Sequence, residues 1–375
     1  MSDFSELAVL LRLHQAQPKL TQLQALLAEF GTFTESVQAG AKALQTLGHF
    51  SPWQCEQVLG VEAQSRVEQA LHWQNDNANG FSQQWLSYWD AGYPAMLAQI
   101  ADPPPILAVR GQVGLLQDPQ VAVVGSRQAS KGGLLNAYDF AEFLSQQGLG
   151  ITSGLAAGID AAAHRGALLG PGKTVAVLGT GLDRIYPAAN QALAREIAVQ
   201  GVMISEFPLG TKPLAKHFPQ RNRIISGLSL GTLVIEANLN SGSLITARTA
   251  LEQGREVFAI PGSIHHPQAK GCHQLIKQGA KLVESGEDVL NELGPLLQLS
   301  LTLTPVYSAS SPPSKAALPE ASQKLLAQIE FEPISVDELL VTSKLPMSAL
   351  QAELMSLELH GWIEKLSAGR WQRLR

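Results

Sequence analysis

The sequence predicts an α/β protein built on a doubly wound parallel sheet, with a small helical domain before the sheet and a helix and hairpin domain after it. Three observations carry that prediction. From Val121 onward, short β-branched runs alternate with segments of helical periodicity, the pattern of parallel strands joined by crossover helices. The loops after those runs are rich in glycine, hydroxyl groups and arginine, as expected where ligands meet the carboxyl ends of parallel strands. On both sides of this block the periodicity is helical, and a Pro/Ser-rich stretch sets off the last part.

Taken in order, residues 1 to about 75 read as short helices, with apolar spacing in LAVLLRL and LTQLQALLAEF and breaks at Gly31, Gly40, Gly48 and Gly60. This part resembles a sterile-alpha-motif or helix-hairpin-helix module, but residues 1–80 hold 4 basic and 8 acidic side chains. Packing or oligomerisation therefore suits it better than phosphate contact. Gly80 to Leu116 connects it to the sheet through strand-like pieces and the rigid Pro103-Pro104-Pro105 run. Strands are expected at Val121–Val124, Gly150–Thr152, Thr174–Leu178, Val202–Ser205, Thr232–Ile235, Glu256–Ile260 and Lys281–Val283. Helices are expected over Gly133–Gln147, Asp160–Leu169, Gln191–Gln200, Asn222–Ser226, Leu244–Gln253 and Cys272–Gln278. Residues 298–322 read as a linker; beyond it come three helical segments and two short strands, the order of a winged helix. The expected domains are thus 1–80, 81–297 and 323–375, with 298–322 between the last two.

Composition bounds the function. At 45% hydrophobic and 16% charged residues the chain is globular with ample core. Cys55 and Cys272 form no Cys-x-x-Cys motif, which fits a reducing cytoplasm better than a disulfide framework. The first residues carry Asp3 and Glu6 around a short apolar run, so no export signal or membrane span is expected. A net charge of −5 excludes a chain coated in positive charge, and any nucleic-acid contact must come from a local patch. Such a patch exists: Thr211 to Arg255 holds Lys212, Lys216, Arg221, Arg223, Arg248 and Arg255 against Glu236 and Glu252.

That basic surplus coincides with HFPQRNRIISGLS, residues 217–229. Paired guanidiniums beside an aromatic ring suit a nucleic-acid strand, because charge takes the backbone and a ring face takes a base. The plain alternative is a solvated helix end with Phe218 in the core. The loops Gly125-Ser126-Arg127, Ser153 to Gly158, Gly179-Thr180-Gly181 and Asn240-Ser241-Gly242-Ser243 add backbone N–H groups and helix starts at the same edge. Read singly, each is more often a tight turn than an anion site, and none has the spacing of a nucleotide fingerprint. Asp160 and His164, four apart on a helix, are a potential acid/base pair or a helix-start arrangement. His265, His266, Cys272 and His273 lack paired metal-ligand spacing, so no metal site is expected.

Five motifs between about 120 and 283 resemble the bacterial DNA-processing protein A (DprA/Smf) family, in family order and spacing. They are VAVVGSRQAS, ITSGLAAGIDAAAHRGAL, TVAVLGTGLDRIYPAAN, ISEFPLGTKPLAKHFPQRNRIISGLS and SGSLITARTALEQGREVFAIPG. One departure is Cys272-His273, where the family usually shows Thr or Ser and then Asn. The resemblance implies a Rossmann-like domain that binds single-stranded DNA, forms homodimers and hands incoming DNA to the RecA recombinase in natural transformation, without catalysis or a cofactor. It also implies DNA contacts at Arg127 and along Lys216 to Arg223, with Phe218 the base-contacting ring. With the anion-ready loops, the expected interface is Gly125, Ser126, Arg127, Gly154, Lys216, Phe218, Arg221, Asn222, Arg223, Ser241, Gly242 and Ser243. Arg127, Arg221 and Arg223 are expected to converge on one backbone path. The competing reading is a nucleotide phosphoribohydrolase of the lysine-decarboxylase-like class. Its PGGxGTxxE motif has only NLNSGSLITARTALE as a counterpart, without the working glutamate.

Overall fold

The computed structural model describes residues 6–76 and 80–303, and residues 322–373 in part. The chain divides into two compact units, Met1–Leu303 and Thr304–Arg375.

In the first unit a nine-stranded sheet runs in the order β1-β2-β6-β5-β4-β3-β7-β8-β9 among the described residues. Its parallel part is β3 (Gln120–Val124), β4 (Gly150–Ser153), β5 (Thr174–Val177), β6 (Val202–Ser205), β7 (Gly231–Val234), β8 (Glu256–Ala259) and β9 (Lys281–Leu282). These agree with the expected strands to within a residue or two. The strand-like pieces before them form an antiparallel edge instead: β1 (Gln83–Ser87) pairs β2 (Ile106–Gly111), and β2 lies antiparallel to β6. The sheet is therefore mixed, with a Rossmann-like parallel centre.

Strand order reverses at β3, which lies between β4 and β7. Residues of β3 alternate between two cores, as a strand buried on both faces must. Val121 and Val123 meet Ala137, Ala141 and Leu144 of α8 (Lys131–Gln146) and Ile159 of α9 (Ile159–Ala167). Ala122 and Val124 share a core with Ile224 and Ile225 of α11 (His217–Gly227), Ala247 of α12 (Gly242–Glu252) and Cys272 of α13 (Lys270–Lys277). Helix α10 (Gln191–Gln200) leads into β6.

The helices before the sheet are α1 (Glu6–His14), α2 (Leu20–Phe30), α3 (Phe33–Gln38), α4 (Gly40–Thr46), α5 (Pro52–Leu59) and α6 (Ala63–Asn75), and the short α7 (Ala95–Ala98) lies between β1 and β2. Their core is continuous with that of the sheet: Leu11, Leu23 and Trp73 belong to one apolar cluster with Trp85, Ala176 and Ile197. Trp85 Nε1 donates to the Ala70 carbonyl at 3.1 Å, a further tie between β1 and α6. Helix α14 (Gly286–Leu303) ends this unit and runs into the start of the expected 298–322 linker, whose residues 304–321 lie outside the described residues.

In the second unit, Ile334–Ser335 (β10), Ile363–Lys365 (β11) and Arg370–Arg373 (β12) form an antiparallel sheet in the order β10-β12-β11. With α15 (Val336–Ser343) and α16 (Met347–Leu359) they enclose Leu339, Leu350, Leu354, Ile363 and Trp371, in a winged-helix arrangement. The expected first helix of this unit lies partly outside the described residues.

Candidate nucleic-acid interface

The loops after β3 and β4 interlock at the carboxyl edge of the sheet. A Cβ at Gly125 would lie 2.6 Å from Ile159 Cγ1, and one at Gly158 would lie 2.3 Å from the Ser126 carbonyl oxygen. Gly158 also has φ +79, so side chains are excluded there twice over. Ile159 N–H donates to that Ser126 carbonyl, and the buried Ser126 hydroxyl accepts from Gln128 N–H at 3.1 Å. Gly125 and Ser126 thus shape the turn, and Arg127 emerges from it exposed.

Arg221 is the buried hub of the edge. The helix α11 begins at His217, earlier than expected, because Pro219 falls within the first turn, where no intrahelical N–H bond is lost. Arg221 therefore sits inside a formed helix and projects beneath the β4 loop. Its Nη1 donates to the carbonyls of Gly154, at 2.6 Å, and Val177, and its Nε donates to Asn222 Oδ1 at 3.1 Å. Burial lowers its pKa to about 10, still charged at neutral pH. The balancing carboxylate is Asp160 at the start of α9, which accepts from Gly154 N–H at 3.1 Å and Ala156 N–H at 3.3 Å. Burial pushes Asp160 up, while Arg221 and these two amides hold it down.

His164 completes the brace. Its Nε2 accepts from Leu155 N–H at 3.2 Å, its Nδ1 lies 2.7 Å from the Thr174 hydroxyl, and burial drives its pKa down to about 3. Asn190 Nδ2 donates to the carbonyls of Leu155 and Ala156 at 2.9 and 3.1 Å. Asp160 and His164 are occupied as hydrogen-bond acceptors for one loop, the helix-start reading of the pair. Asn190 is a contributor that sequence reasoning missed.

Above the hub, half-buried Phe218 gathers exposed charge and ring surface. The Arg127 guanidinium lies 5.2 Å from its ring centroid and that of Arg221 5.9 Å. Tyr186, 47% exposed, meets the same ring at 5.7 Å and a 44° interplanar angle. Tyr186 was not singled out from the sequence, although it lies inside one of the five motifs. Lys216, the exposed residue that caps α11, adds charge beside this cluster. Phe218 is neither a free ring nor a core residue, but a support that carries Arg127.

Arg223 is not part of this convergence, which corrects the expectation of three arginines on one path. Two residues beyond Arg221 on a helix is about 200° around the axis. Arg223 accordingly turns away, bonding the Glu206 carboxylate and lying 3.6 Å from Asp102. Asn222 is buried and spent on Arg221.

The loop after β7 contributes differently again. Ser241 caps α12, its hydroxyl accepting from Ser243 N–H at 3.3 Å and lying 2.6 Å from the Ser243 hydroxyl, while Gly242 is exposed with open space around its Cβ position. Between this loop and β3, Glu236 accepts from Ser130 N–H at 2.9 Å and from the Ser130 hydroxyl at 2.5 Å. A Cβ at Gly133 would lie 2.5 Å from that carboxyl. The amino end of α8, where a Rossmann-like protein holds a nucleotide phosphate, thus carries the protein's own carboxylate. Cys272, considered with the nearby histidines as a metal ligand, is buried with its thiol directed at the Val234 and Ile235 carbonyls.

The fold and this edge define a class: a Rossmann-like α/β protein with helices before the sheet and a winged helix after it. Residues 84–294 match the family described as DNA recombination-mediator protein A, and residues 309–369 match the DprA winged helix domain. The chain belongs to the DprA/Smf family. It is 47% identical over 285 residues to Protein Smf of Escherichia coli K12, covering 76% of this chain and 75% of that one. It is 52% identical over 207 residues to DNA processing protein DprA of Streptococcus pneumoniae, covering 55% and 73%. Among solved structures, DprA of Streptococcus pneumoniae aligns with a TM-score of 0.65 at 39% identity, covering 78% of this chain and 99% of that one. DprA of Helicobacter pylori, whose structure is described as showing a single-stranded DNA binding mode, aligns at 0.52 and 29% identity, covering 56% and 96%.

Proposed function

We propose that this chain binds single-stranded DNA across the carboxyl edge of the sheet and acts in DNA processing during transformation and recombination. The observation that carries the reading is the Arg127, Phe218 and Tyr186 cluster. It sets an exposed guanidinium and an exposed ring against the same half-buried phenyl ring of Phe218. A strand needs both, charge for its phosphates and a flat face for its bases. Phe218 orients Arg127, while a base stacks on the guanidinium plane or on Tyr186. Lys216 extends the charge along the backbone path, Gly125, Ser126 and Gly154 shape the loops beneath it, and Ser241 to Ser243 border it. Arg221 and Asn222 act from below by fixing the β4 loop. The resemblance to the Streptococcus and Helicobacter proteins supports the ligand.

The finer reading follows from the family: the chain works in the cytoplasm as a homodimer that protects incoming DNA and passes it to RecA. It works as a binding protein and not as a nucleotide phosphoribohydrolase, a reading supported by Asp160, His164 and Glu236 each being engaged in holding loops. Affinity for single-stranded and duplex oligonucleotides, titrated at two salt concentrations, tests the proposal. Preference for the single strand supports it, and equal affinity for duplex overturns it. Light scattering at micromolar concentration tests the dimer, which a monomeric mass would contradict.

A further inference from the structure

The loops after β5 and β6 are fastened to each other at the carboxyl edge. Gly181 N–H donates to the Thr211 carbonyl at 3.1 Å, and Gly210 N–H donates to Asp183 Oδ1 at 2.8 Å. Leu182, Ile185 and Leu209 of the two loops pack into or against one apolar cluster. Tyr186, whose ring meets Phe218, stands on the first of these loops, and the second leads into α11 and Phe218 itself. The two loops are therefore one platform joined to the strand cluster.

The second loop runs exposed from Lys212 through Pro213, Leu214 and Ala215 to Lys216. Its ends are held: the Thr211 hydroxyl donates to the Pro208 carbonyl at 2.6 Å, and His217 N–H donates to the Leu214 carbonyl at 3.0 Å. Pro213 fixes one further φ. A single exposed leucine is ordinary on a protein surface. Leu214 differs in its setting, since it is held out at 48% exposure between two exposed lysines while Leu209 of the same loop is turned inward. Residues 207–217 hold no carboxylate. On the facing loop stands the exposed Arg184, and Asp183 beside it is occupied by Gly210 N–H. An apolar side chain presented among cations matches a strand, which offers flat base faces along a line of phosphates, and leucine is among the side chains that proteins wedge against bases.

We propose that the bound strand continues from the Arg127, Phe218 and Tyr186 cluster onto this platform, with Leu214 packed against a base and Lys212 and Arg184 on phosphates. The inference rests on the strand-binding reading above and adds a second base contact to it. Because the loop is pinned before a strand arrives, little ordering accompanies binding.

The test titrates the whole chain and its Leu214→Ala, Lys212→Ala and Arg127→Ala variants with a homothymidine strand and with an abasic strand of the same length, which keeps the phosphates and lacks the bases. Leu214→Ala should bind homothymidine about fivefold more weakly, the low end for a base contact, with the salt slope and the affinity for the abasic strand unchanged. Lys212→Ala should weaken both strands and reduce the salt slope by about 0.7. Leu214→Ala protein that binds homothymidine as the natural chain does would overturn the proposal. Equal loss on both strands would overturn it too, by making Leu214 a support of the loop. If Arg127→Ala is weakened while Leu214→Ala and Lys212→Ala are silent, the extension alone falls; if Arg127→Ala is silent as well, the strand-binding reading falls with it.

Discussion

The Arg221 guanidinium fills the space beside Gly154 that any larger residue would need: a Cβ at 154 would lie 2.2 Å from Nη1. Glycine at 154 and arginine at 221 are therefore one structural unit spanning 67 residues of sequence. Gly154→Ala should displace a buried charge and cost about 1–3 kcal/mol, the range for overpacking. Denaturant unfolding checks it as a lower midpoint with unchanged slope.

Removing the other half of that unit should cost more. Arg221→Ala strips the buried Asp160 of its counter-charge and the Gly154 and Val177 carbonyls of their donor. Leaving a buried carboxylate without its counter-charge costs about 3–5 kcal/mol. Lysine should not rescue it, because one ammonium cannot reproduce the planar fork that reaches two carbonyls and Asn222 together.

Glu206 sets a pH dependence. Burial raises its pKa from 4.5 to about 7 despite Arg223, so the folded protein keeps a proton that the unfolded chain has released. The folded state then binds more protons across pH 4.5 to 7, and this group's contribution falls as pH rises through that window. Comparison of Glu206→Gln with the natural protein by denaturation at several pH values isolates the effect. The variant should gain relative stability from pH 4.5 to 7 and then level off, whereas a constant difference would contradict the shift. His14 and His164 act in the opposite sense, because both are held neutral down to about 4 and 3 and cost stability as pH falls below 6.5.

Most of the sheet was legible in the sequence because parallel strands buried on both faces are continuous β-branched runs, as in Val202–Ser205. The edge strand Gln83–Ser87 was less so: its QQWLS run is mixed, and its pairing depends on β2, 19 to 27 residues later. At the candidate interface, Arg127 and the α11 motif are legible in the sequence because charge and aromatic side chains stand out locally. The partition of Arg221 from Arg223 was not, since it depends on where α11 begins and hence on Pro219 being tolerated in a first turn. Tyr186 and Glu236 were missed because neither carries a local signal. Tyr186 matters only through a ring brought from residue 218, and Glu236 only through Ser130, 106 residues away.

Glu236 itself gives a further test. Glu236→Ala leaves the Ser130 N–H and hydroxyl without their acceptor at the start of α8 and should cost about 1–3 kcal/mol, the usual penalty for orphaned groups. The thermal midpoint reads this loss, and an unchanged midpoint would show that water replaces the carboxylate freely.

Phe218→Ala separates support from stacking. The ring is only half-buried, so its loss should cost less than the roughly 3–5 kcal/mol of a core phenylalanine. Strand affinity should fall with the salt slope nearly unchanged, since no phosphate contact is removed directly.

The most direct measurement is the affinity of Arg127→Ala for single-stranded DNA across a series of salt concentrations. Arg127 is exposed, so the variant should fold as the natural protein does. Its affinity should fall, and the slope of log affinity against log salt should shrink by about 0.7, the contribution of one phosphate contact on a single strand. Arg127→Ala protein that binds single strands with unchanged affinity and slope would contradict the placement of the strand on this edge.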